Sequence, residues 1–130
     1  MFSETLLEHF RSPRNVGEMQ DADAEAEQEN PVCGDRLHVW LRIKDGRVEA
    51  ASWQAQGCAP ALAAASLSSE MIGGMSLDEA VRLDRDDIEQ ALGGLPPRKG
   101  HATSLAASTI RMAIESYRSR TSQPVAEEAS

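Results

Sequence analysis

The two cysteines of this chain, Cys33 and Cys58, each lie beside a glycine in a predicted turn. Asp35 follows the first cysteine by two residues, and His101 lies much later in the chain. Thiolate, carboxylate and imidazole groups are the protein ligands that bind zinc and iron. Together, the four residues form a candidate set of metal ligands with two sulfur donors, one nitrogen and one oxygen.

Length, composition and charge limit the classes of protein that this chain can be. Its 130 residues, 41% hydrophobic and 26% charged, predict one globular domain. The net charge of −8 argues against nucleic-acid or anionic-membrane partners, which require a basic surface. No apolar segment approaches the roughly 20 residues that span a bilayer, and the first residues lack a signal-peptide pattern. We therefore expect reduced cysteines and a bacterial cytoplasmic location.

A predicted β-hairpin brings the two cysteine turns together. Residues 36–43 alternate between polar or aromatic side chains and apolar ones, which is the pattern of a half-buried strand. Asp45-Gly46 is a typical hairpin turn, and the return strand covers about residues 47–56. Because antiparallel strands place the start of one beside the end of the other, Cys33 and Cys58 are expected to be neighbours.

Helices are predicted on both sides of this hairpin. They cover about residues 3–10, 59–71, a short segment after the capping box at 76–79, a segment between Asp84 and Gly93, and 103–118. Residues 21–29 alternate acids with small residues, which permits an edge strand but favours a solvated acidic loop or edge. The prolines make residues 95–99 extended. The fold prediction is an α+β domain over residues 1–120, followed by a disordered tail, 121–130.

The position expected for Cys58 suits metal binding. It precedes a predicted helix, whose unpaired N–H groups and dipole favour a thiolate and lower the thiol pKa. Spacing alone also fits a simpler role, because isolated cysteines without a CxxC motif are often small buried apolar residues.

The remaining histidines and the tryptophans are expected to be structural. His9 is expected to pack or to contact a partner, and His38 to be solvated on the polar face of its strand. Trp40 shares that face, so either a helix covers it or it is exposed and marks a partner surface. Trp53 is expected in the core.

Six short motifs occur along the chain in a fixed order. They are Glu8-His9-Phe10, residues 12–17 (SPRNVG), residues 30–35 (NPVCGD), Gly57-Cys58, Ala65-Ser66 and residues 95–99 (LPPRK). In this order they resemble the IscU/NifU-type iron–sulfur cluster assembly scaffolds, over about residues 2–120. The resemblance implies a SufE/NifU-like α+β fold, with a small antiparallel sheet of three strands packed against helices. It also implies a scaffold that passes clusters to acceptor proteins and is not itself an enzyme.

The resemblance implies a role for each matching residue. In such scaffolds the cysteines of the two turns, here Cys33 and Cys58, bind a nascent [2Fe–2S] cluster, iron or zinc. The aspartate of the first turn, here Asp35, takes part in iron entry, and the histidine before the last helix, here His101, is a further ligand. The implied partners are a cysteine desulfurase and a Hsp70-type chaperone with its co-chaperone. The segment that the chaperone grips is implied to be Leu95, Pro96, Pro97, Arg98 and Lys99.

The chain departs from the resemblance at Ala102. Scaffolds of this type have a third cysteine directly after the histidine, which binds the cluster and accepts persulfide sulfur. Alanine does neither, so the chain offers two thiolates. The alanine is engineered, or the protein is a natural paralogue, or another residue or subunit supplies the ligand. The alternative function is a degenerate paralogue, a zinc- or iron-binding regulatory or partner-binding module without cluster assembly.

Overall fold

The computed structural model describes residues 2–31, 34–96 and 99–129, with side chains as far as residue 121. The elements in this part of the chain are α1 (Glu4–Arg11), β1 (Ala24–Asn30), β2 (Asp35–Lys44), β3 (Arg47–Gln56), α2 (Ala59–Ile72), α3 (Leu77–Arg82), α4 (Arg85–Leu92) and α5 (Gly100–Ala129). The strands form one antiparallel sheet in the order β1-β2-β3. The prediction of an α+β fold with a three-stranded sheet is confirmed.

The predicted hairpin is formed by β2 and β3. At its turn, Asp45 and Gly46 have φ angles of 55° and 75°, the left-handed conformation that a tight two-residue hairpin turn requires. β1 pairs with β2 on the other side. The acidic segment therefore forms an edge strand, and its glutamates are exposed to solvent while the residues between them face the helices. Exposed charge on an edge strand discourages pairing with other chains.

The core lies between one face of the sheet and the helices. Leu37, Val39 and Leu41 of β2 and Trp53 of β3 are buried there, which confirms the predicted faces of both strands. The Trp53 indole N–H donates to the carbonyl oxygen of Arg14, 2.7 Å away, so its polar atom is satisfied. The helices contribute small and branched apolar residues to the same core, among them Ala63, Ala64, Ile72, Ile88, Ala106, Ile110, Ala113 and Ile114.

The helix boundaries follow the capping signals of the sequence. Ser76 and Asp84 each accept a hydrogen bond from the backbone three residues later, in complete capping boxes that begin α3 and α4. Gly93 ends α4 with φ 87°. The last helix is longer than predicted, since α5 begins at Gly100 and extends to Ala129. Disorder of the tail in solution stays a prediction. The described chain contains no helix with the length and hydropathy to cross a bilayer.

Two aromatic side chains on the outer face of the sheet contact each other. The His38 ring stacks on Trp40 with 3.9 Å between ring centroids, and Trp40 is only 5% exposed. His38 Nε2 also lies 2.6 Å from a carboxylate oxygen of Glu25. The expectation of a merely solvated His38 is therefore wrong, because cross-strand pairing with β1 supplies it with a carboxylate. Trp40 is covered rather than exposed.

His9 is buried, which confirms that it packs. Its Nδ1 lies 2.7 Å from the Ser66 hydroxyl oxygen, which also accepts the backbone N–H of Arg14 at 2.9 Å. Its Nε2 lies 3.5 Å from the Glu70 carboxylate. Burial lowers the pKa of His9 below its ordinary value of 6.5, and the nearby Arg14 charge adds to this effect. This network connects α1, the loop after it and α2.

Candidate metal centre

Asp35, Cys58 and His101 come from three elements and meet at one end of the sheet. Asp35 is the first residue of β2, Cys58 is the N-cap of α2, and His101 lies in the first turn of α5. One donor atom from each lies within 4.8 Å of the other two. Three residues of the predicted ligand set therefore come together. The fourth, Cys33, lies outside the described residues.

The hairpin register explains why Asp35 and Cys58 are neighbours. Arg36 pairs with Gln56, so the residue before Arg36 lies beside the residues that follow Gln56. The Cys58 backbone N–H lies 3.4 Å from Asp35 Oδ1, and its thiol Sγ lies 3.6 Å from Asp35 Oδ2. The convergence of the two turns, which the hairpin predicted, is present between these residues.

The position of His101 is set by the packing of α5 on β1. The Ser108 hydroxyl of α5 donates to the Gln28 side-chain oxygen at 2.6 Å. The Thr109 hydroxyl lies 3.0 Å from the same oxygen, but its single proton has a nearer acceptor in the Leu105 carbonyl oxygen at 2.7 Å. Gln28 belongs to the face of β1 that points toward the helices. The bond from Ser108 holds α5 against the sheet two turns after His101.

Asp35 and His101 are close but do not form a well-aligned hydrogen bond. Asp35 Oδ2 lies 3.2 Å from His101 Nε2, and Asp35 is 3% exposed. Although the Nε2 atom is buried, it makes no hydrogen bond to any described atom, because the contact with Asp35 has the distance but not the direction of one. A buried ring nitrogen in this state is available to a cation.

The thiol of Cys58 does not have the lowered pKa that the sequence predicted. Burial raises the pKa of the Cys58 thiol above its ordinary value of 9.0, and the Asp35 carboxylate raises it further. The Ala61 backbone N–H and the Lys99 ammonium oppose these effects but do not outweigh them. The prediction from the helix N-terminus was wrong because it left out desolvation and the adjacent carboxylate.

The donor set fits a borderline metal ion. Sulfur, nitrogen and oxygen donors together are suited to zinc and ferrous iron. A divalent cation among these groups would reverse the two effects that raise the Cys58 pKa, because its charge stabilises the thiolate and offsets the Asp35 carboxylate. Three ligands from this part of the chain also leave a coordination position for a further group.

The His101 side chain borders a cavity that is open to solvent. An open cavity of about 660 Å³ lies between α5 and the end of β1. His101, Ser104 and Ser108 line it from α5, and the His101 side chain is 20% exposed. The cavity therefore borders the imidazole ring, whereas the Nε2 atom that faces Asp35 is buried.

The segment before α5 is described in part. Leu95, Pro96 and Lys99 are half-buried, whereas Pro97 and Arg98 lie outside the described residues. The Lys99 backbone N–H donates to the Pro96 carbonyl oxygen at 3.0 Å. The extended conformation predicted for residues 95–99 stays a prediction at Pro97 and Arg98, which lie outside the described residues.

Comparison with known proteins identifies the family. The family model described as "NifU-like N terminal domain" matches residues 1–124. The chain belongs to this family. Two Archaeoglobus fulgidus proteins named as iron-sulfur cluster assembly scaffold protein IscU are each 44% identical to this NifU-like chain over 117 residues, 90% of it and 76% of theirs. The Escherichia coli protein of that name is 37% identical over 123 residues, 92% of this chain and 95% of its own.

Solved structures show the same fold. A crystal structure of a nitrogen-fixing NifU-like protein (N-terminal) from Brucella abortus matches this NifU-like domain with a TM-score of 0.74. The match covers 90% of this chain and 94% of the other, at 20% sequence identity. The family recognised from the six motifs is confirmed.

The structure shows the surroundings of two residues next to the candidate ligands of this NifU-like domain, Ala102 and Gly57. Ala102 is 1% exposed, so the position after His101 is enclosed by the fold. Gly57 was quoted as part of a motif without a role of its own, yet it lies against the Asp35 carboxyl group. Its position directly before Cys58 was the only sign in the sequence that Gly57 belongs to the site, and its contact with Asp35 is visible only in the structure.

Proposed function

We propose that this NifU-like domain is an iron–sulfur cluster assembly scaffold. It receives iron, holds iron or a nascent [2Fe–2S] cluster as cargo, and passes the cargo to acceptor proteins. The observation that carries the proposal is the convergence of Asp35, Cys58 and His101, with one donor atom from each within 4.8 Å. Its support is the 36–44% identity to proteins named as IscU scaffolds, which favours a scaffold over a regulatory module.

Each of the three residues has a distinct task in this proposal. The buried Asp35 carboxylate attracts the cation, and His101 Nε2 makes no hydrogen bond to the described chain that would compete with a cation. Cys58 remains a thiol until a cation arrives, because its pKa is raised in the metal-free site. Its proton leaves when the sulfur binds the cation. Cys33 is the second thiolate of the proposed set, and zinc is the alternative ion.

The proposed partners follow from the same role. A cysteine desulfurase supplies sulfur, and a net charge of −8 suits a basic partner surface. A Hsp70-type chaperone and its co-chaperone recognise the segment Leu95, Pro96, Pro97, Arg98 and Lys99. Support for this recognition comes from its position, since the segment leads directly into the helix that carries His101. The scaffold domain covers residues 1–120 and works in a bacterial cytoplasm.

Because Ala102 stands where related scaffolds have a third cysteine, the cargo must be bound by a different ligand set. Clusters are normally bound by thiolates, although histidine replaces some of them in certain proteins. With two cysteines in the chain, we propose that His101 and Asp35 complete the ligand set. A cluster in such a site is expected to be bound more weakly than by three thiolates, which suits transient loading.

Anaerobic reconstitution tests the proposal. The wild-type protein, Cys58→Ala and Ala102→Cys are each incubated with ferrous iron, cysteine and a cysteine desulfurase. Absorption spectra and iron and sulfide contents are recorded, and transfer to an apo-ferredoxin is followed. The wild type is expected to gain sulfide-to-iron charge-transfer bands and to transfer its cluster, whereas Cys58→Ala does neither. Bands in Ala102→Cys but none in the wild type would contradict the proposal. Zinc bound by the wild type without any cluster would support the metal-binding module instead.

A further inference from the structure

Gly57 lies against the side chain of Asp35. A Cβ atom built on Gly57 would lie 2.6 Å from Asp35 Oδ1, 2.9 Å from Cγ and 3.2 Å from Cβ. Non-bonded carbon and oxygen atoms do not approach so closely without repulsion, since contacts between carbon atoms are favourable near 3.5–4.0 Å. The missing side chain of residue 57 therefore makes room for the whole carboxyl group, and not merely for its tip.

Space, rather than backbone conformation, requires glycine at this position. The glycines of this chain with φ in the left-handed region are residues 17, 34, 46, 74, 93 and 94, and Gly57 is not among them. An alanine could adopt the backbone conformation of Gly57 without the strain that left-handed φ imposes. Its methyl group would nevertheless overlap the Asp35 carboxyl group.

The Asp35 carboxyl group cannot move aside without leaving the ligand cluster. It is 3% exposed. Oδ1 lies 3.4 Å from the Cys58 backbone nitrogen, and Oδ2 lies between Cys58 Sγ at 3.6 Å and His101 Nε2 at 3.2 Å. A displacement that relieves the overlap with residue 57 would separate Oδ2 from the other two donor atoms.

We infer that Gly57 is a positioning residue of the metal centre, which holds open the space that places the Asp35 carboxylate beside Cys58 and His101. It makes no contact with the cargo and acts only through Asp35. This inference rests on the proposed function, because that proposal places a metal at Asp35, Cys58 and His101. The close approach of Gly57 to Asp35 is a feature of the fold and does not depend on that proposal.

A double-mutant cycle with a spectroscopic probe tests the inference. The wild type, Gly57→Ala, Asp35→Ala and the double variant are titrated with Co²⁺, whose absorption reports both the thiolate ligand and the coordination geometry. Gly73→Ala is the matched control, because Gly73 has a negative φ of −60° and its nearest neighbour to an added Cβ is 3.6 Å away. Thermal unfolding of each metal-free protein is recorded in parallel.

Gly57→Ala is expected to weaken Co²⁺ binding by about 10- to 100-fold, the usual effect of disturbing a residue that supports a metal ligand. The thiolate-to-cobalt band should remain, while the ligand-field bands change to those of Asp35→Ala. The double variant should bind no more weakly than Asp35→Ala, and Gly73→Ala should bind like the wild type. In the metal-free proteins, Gly57→Ala should lower the melting temperature less when Asp35 is already alanine.

Wild-type Co²⁺ affinity in Gly57→Ala, or independent effects of the two substitutions, would overturn the inference. Failure of the proposed function is a different result. A wild-type protein that binds neither Co²⁺ nor Zn²⁺ would contradict the metal centre. Additivity of the two substitutions in the metal-free melting temperatures would then still overturn the claim that Gly57 makes room for Asp35.

Discussion

The Asp35 carboxylate and the His101 imidazole lie 3.2 Å apart, from Oδ2 to Nε2, without the alignment of a hydrogen bond. The two side chains are brought together by the elements that carry them rather than by a bond between them. Asp35 begins β2, and α5 is fixed to the sheet by the Ser108 hydroxyl bond to Gln28. This arrangement is the structural basis of the proposed metal centre.

Replacing Cys58 by serine should stabilise the metal-free protein while removing its sulfur ligand. Cys58 has the extended backbone of an N-cap but makes no capping hydrogen bond through its side chain. Serine is a preferred N-cap residue, so the free energy of unfolding should rise by about 1 kcal/mol. Zinc affinity should fall by more than about 100-fold, because a ligand matters more than the residues supporting it. Urea unfolding and zinc titration measure the two effects.

The control for Cys58→Ser is Ser76→Ala, at the start of α3. The Ser76 side chain does cap its helix, accepting the Glu79 backbone N–H at 3.1 Å. This variant should lose about 1 kcal/mol of stability and keep its zinc affinity. If Cys58→Ser were no more stable than the wild type and bound zinc equally well, both the capping argument and the role of Cys58 would be wrong.

The buried His9 should make folding less favourable in acid. Its pKa is lowered in the folded protein, chiefly by burial, so the unfolded chain binds a proton more readily. The stability that His9 contributes is therefore complete above its unfolded pKa of about 6.5 and is lost as the pH falls through the lower folded value. His9→Gln, which can keep a hydrogen bond to Ser66, should reduce the fall in unfolding free energy between about pH 7.5 and pH 5. An unchanged fall in this variant would refute the assignment to His9.

The contacts between Gln28 and α5 should stabilise the domain measurably. The Ser108 hydroxyl donates to the Gln28 side-chain oxygen at 2.6 Å, and the Thr109 hydroxyl lies 3.0 Å from it. The Leu105 carbonyl oxygen is a second acceptor within reach of both hydroxyls, at 3.4 Å from Ser108 and 2.7 Å from Thr109. Because the hydroxyls keep this second acceptor, Gln28→Ala should lower the free energy of unfolding by about 1–2 kcal/mol. Gln54→Ala on the exposed face of β3 is the matched control and should change it by less than about 0.5 kcal/mol. Equal effects of the two variants would contradict the proposed fixation of α5.

The sequence predicted the fold well because local signals agreed with one another. The alternation in β2, the Asp45-Gly46 turn and the capping boxes at Ser76 and Asp84 each act over a few residues. Such signals predict element type and boundaries without knowledge of the remaining chain. The hairpin then followed, and with it the expectation that the turns of Cys33 and Cys58 lie close together; Asp35, two residues after Cys33, does contact Cys58.

The parts that the sequence did not predict depend on contacts between distant residues. The raised pKa of Cys58 results from burial and from Asp35, which local helix-dipole reasoning does not include. The closeness of Gly57 and Asp35 appears only once β2 and β3 are paired. The covering of Trp40 by His38 likewise depends on the three-dimensional arrangement of the outer face.

Zinc-edge X-ray absorption tests most directly whether Asp35, Cys58 and His101 form one metal centre. The wild-type protein loaded with one equivalent of zinc should show sulfur at about 2.3 Å together with nitrogen or oxygen at about 2.0–2.1 Å. Cys58→Ser should lose part of the sulfur shell, and His101→Ala should lose the imidazole scattering. A shell of nitrogen and oxygen alone, unchanged in both variants, would contradict the central claim that these three side chains hold the metal.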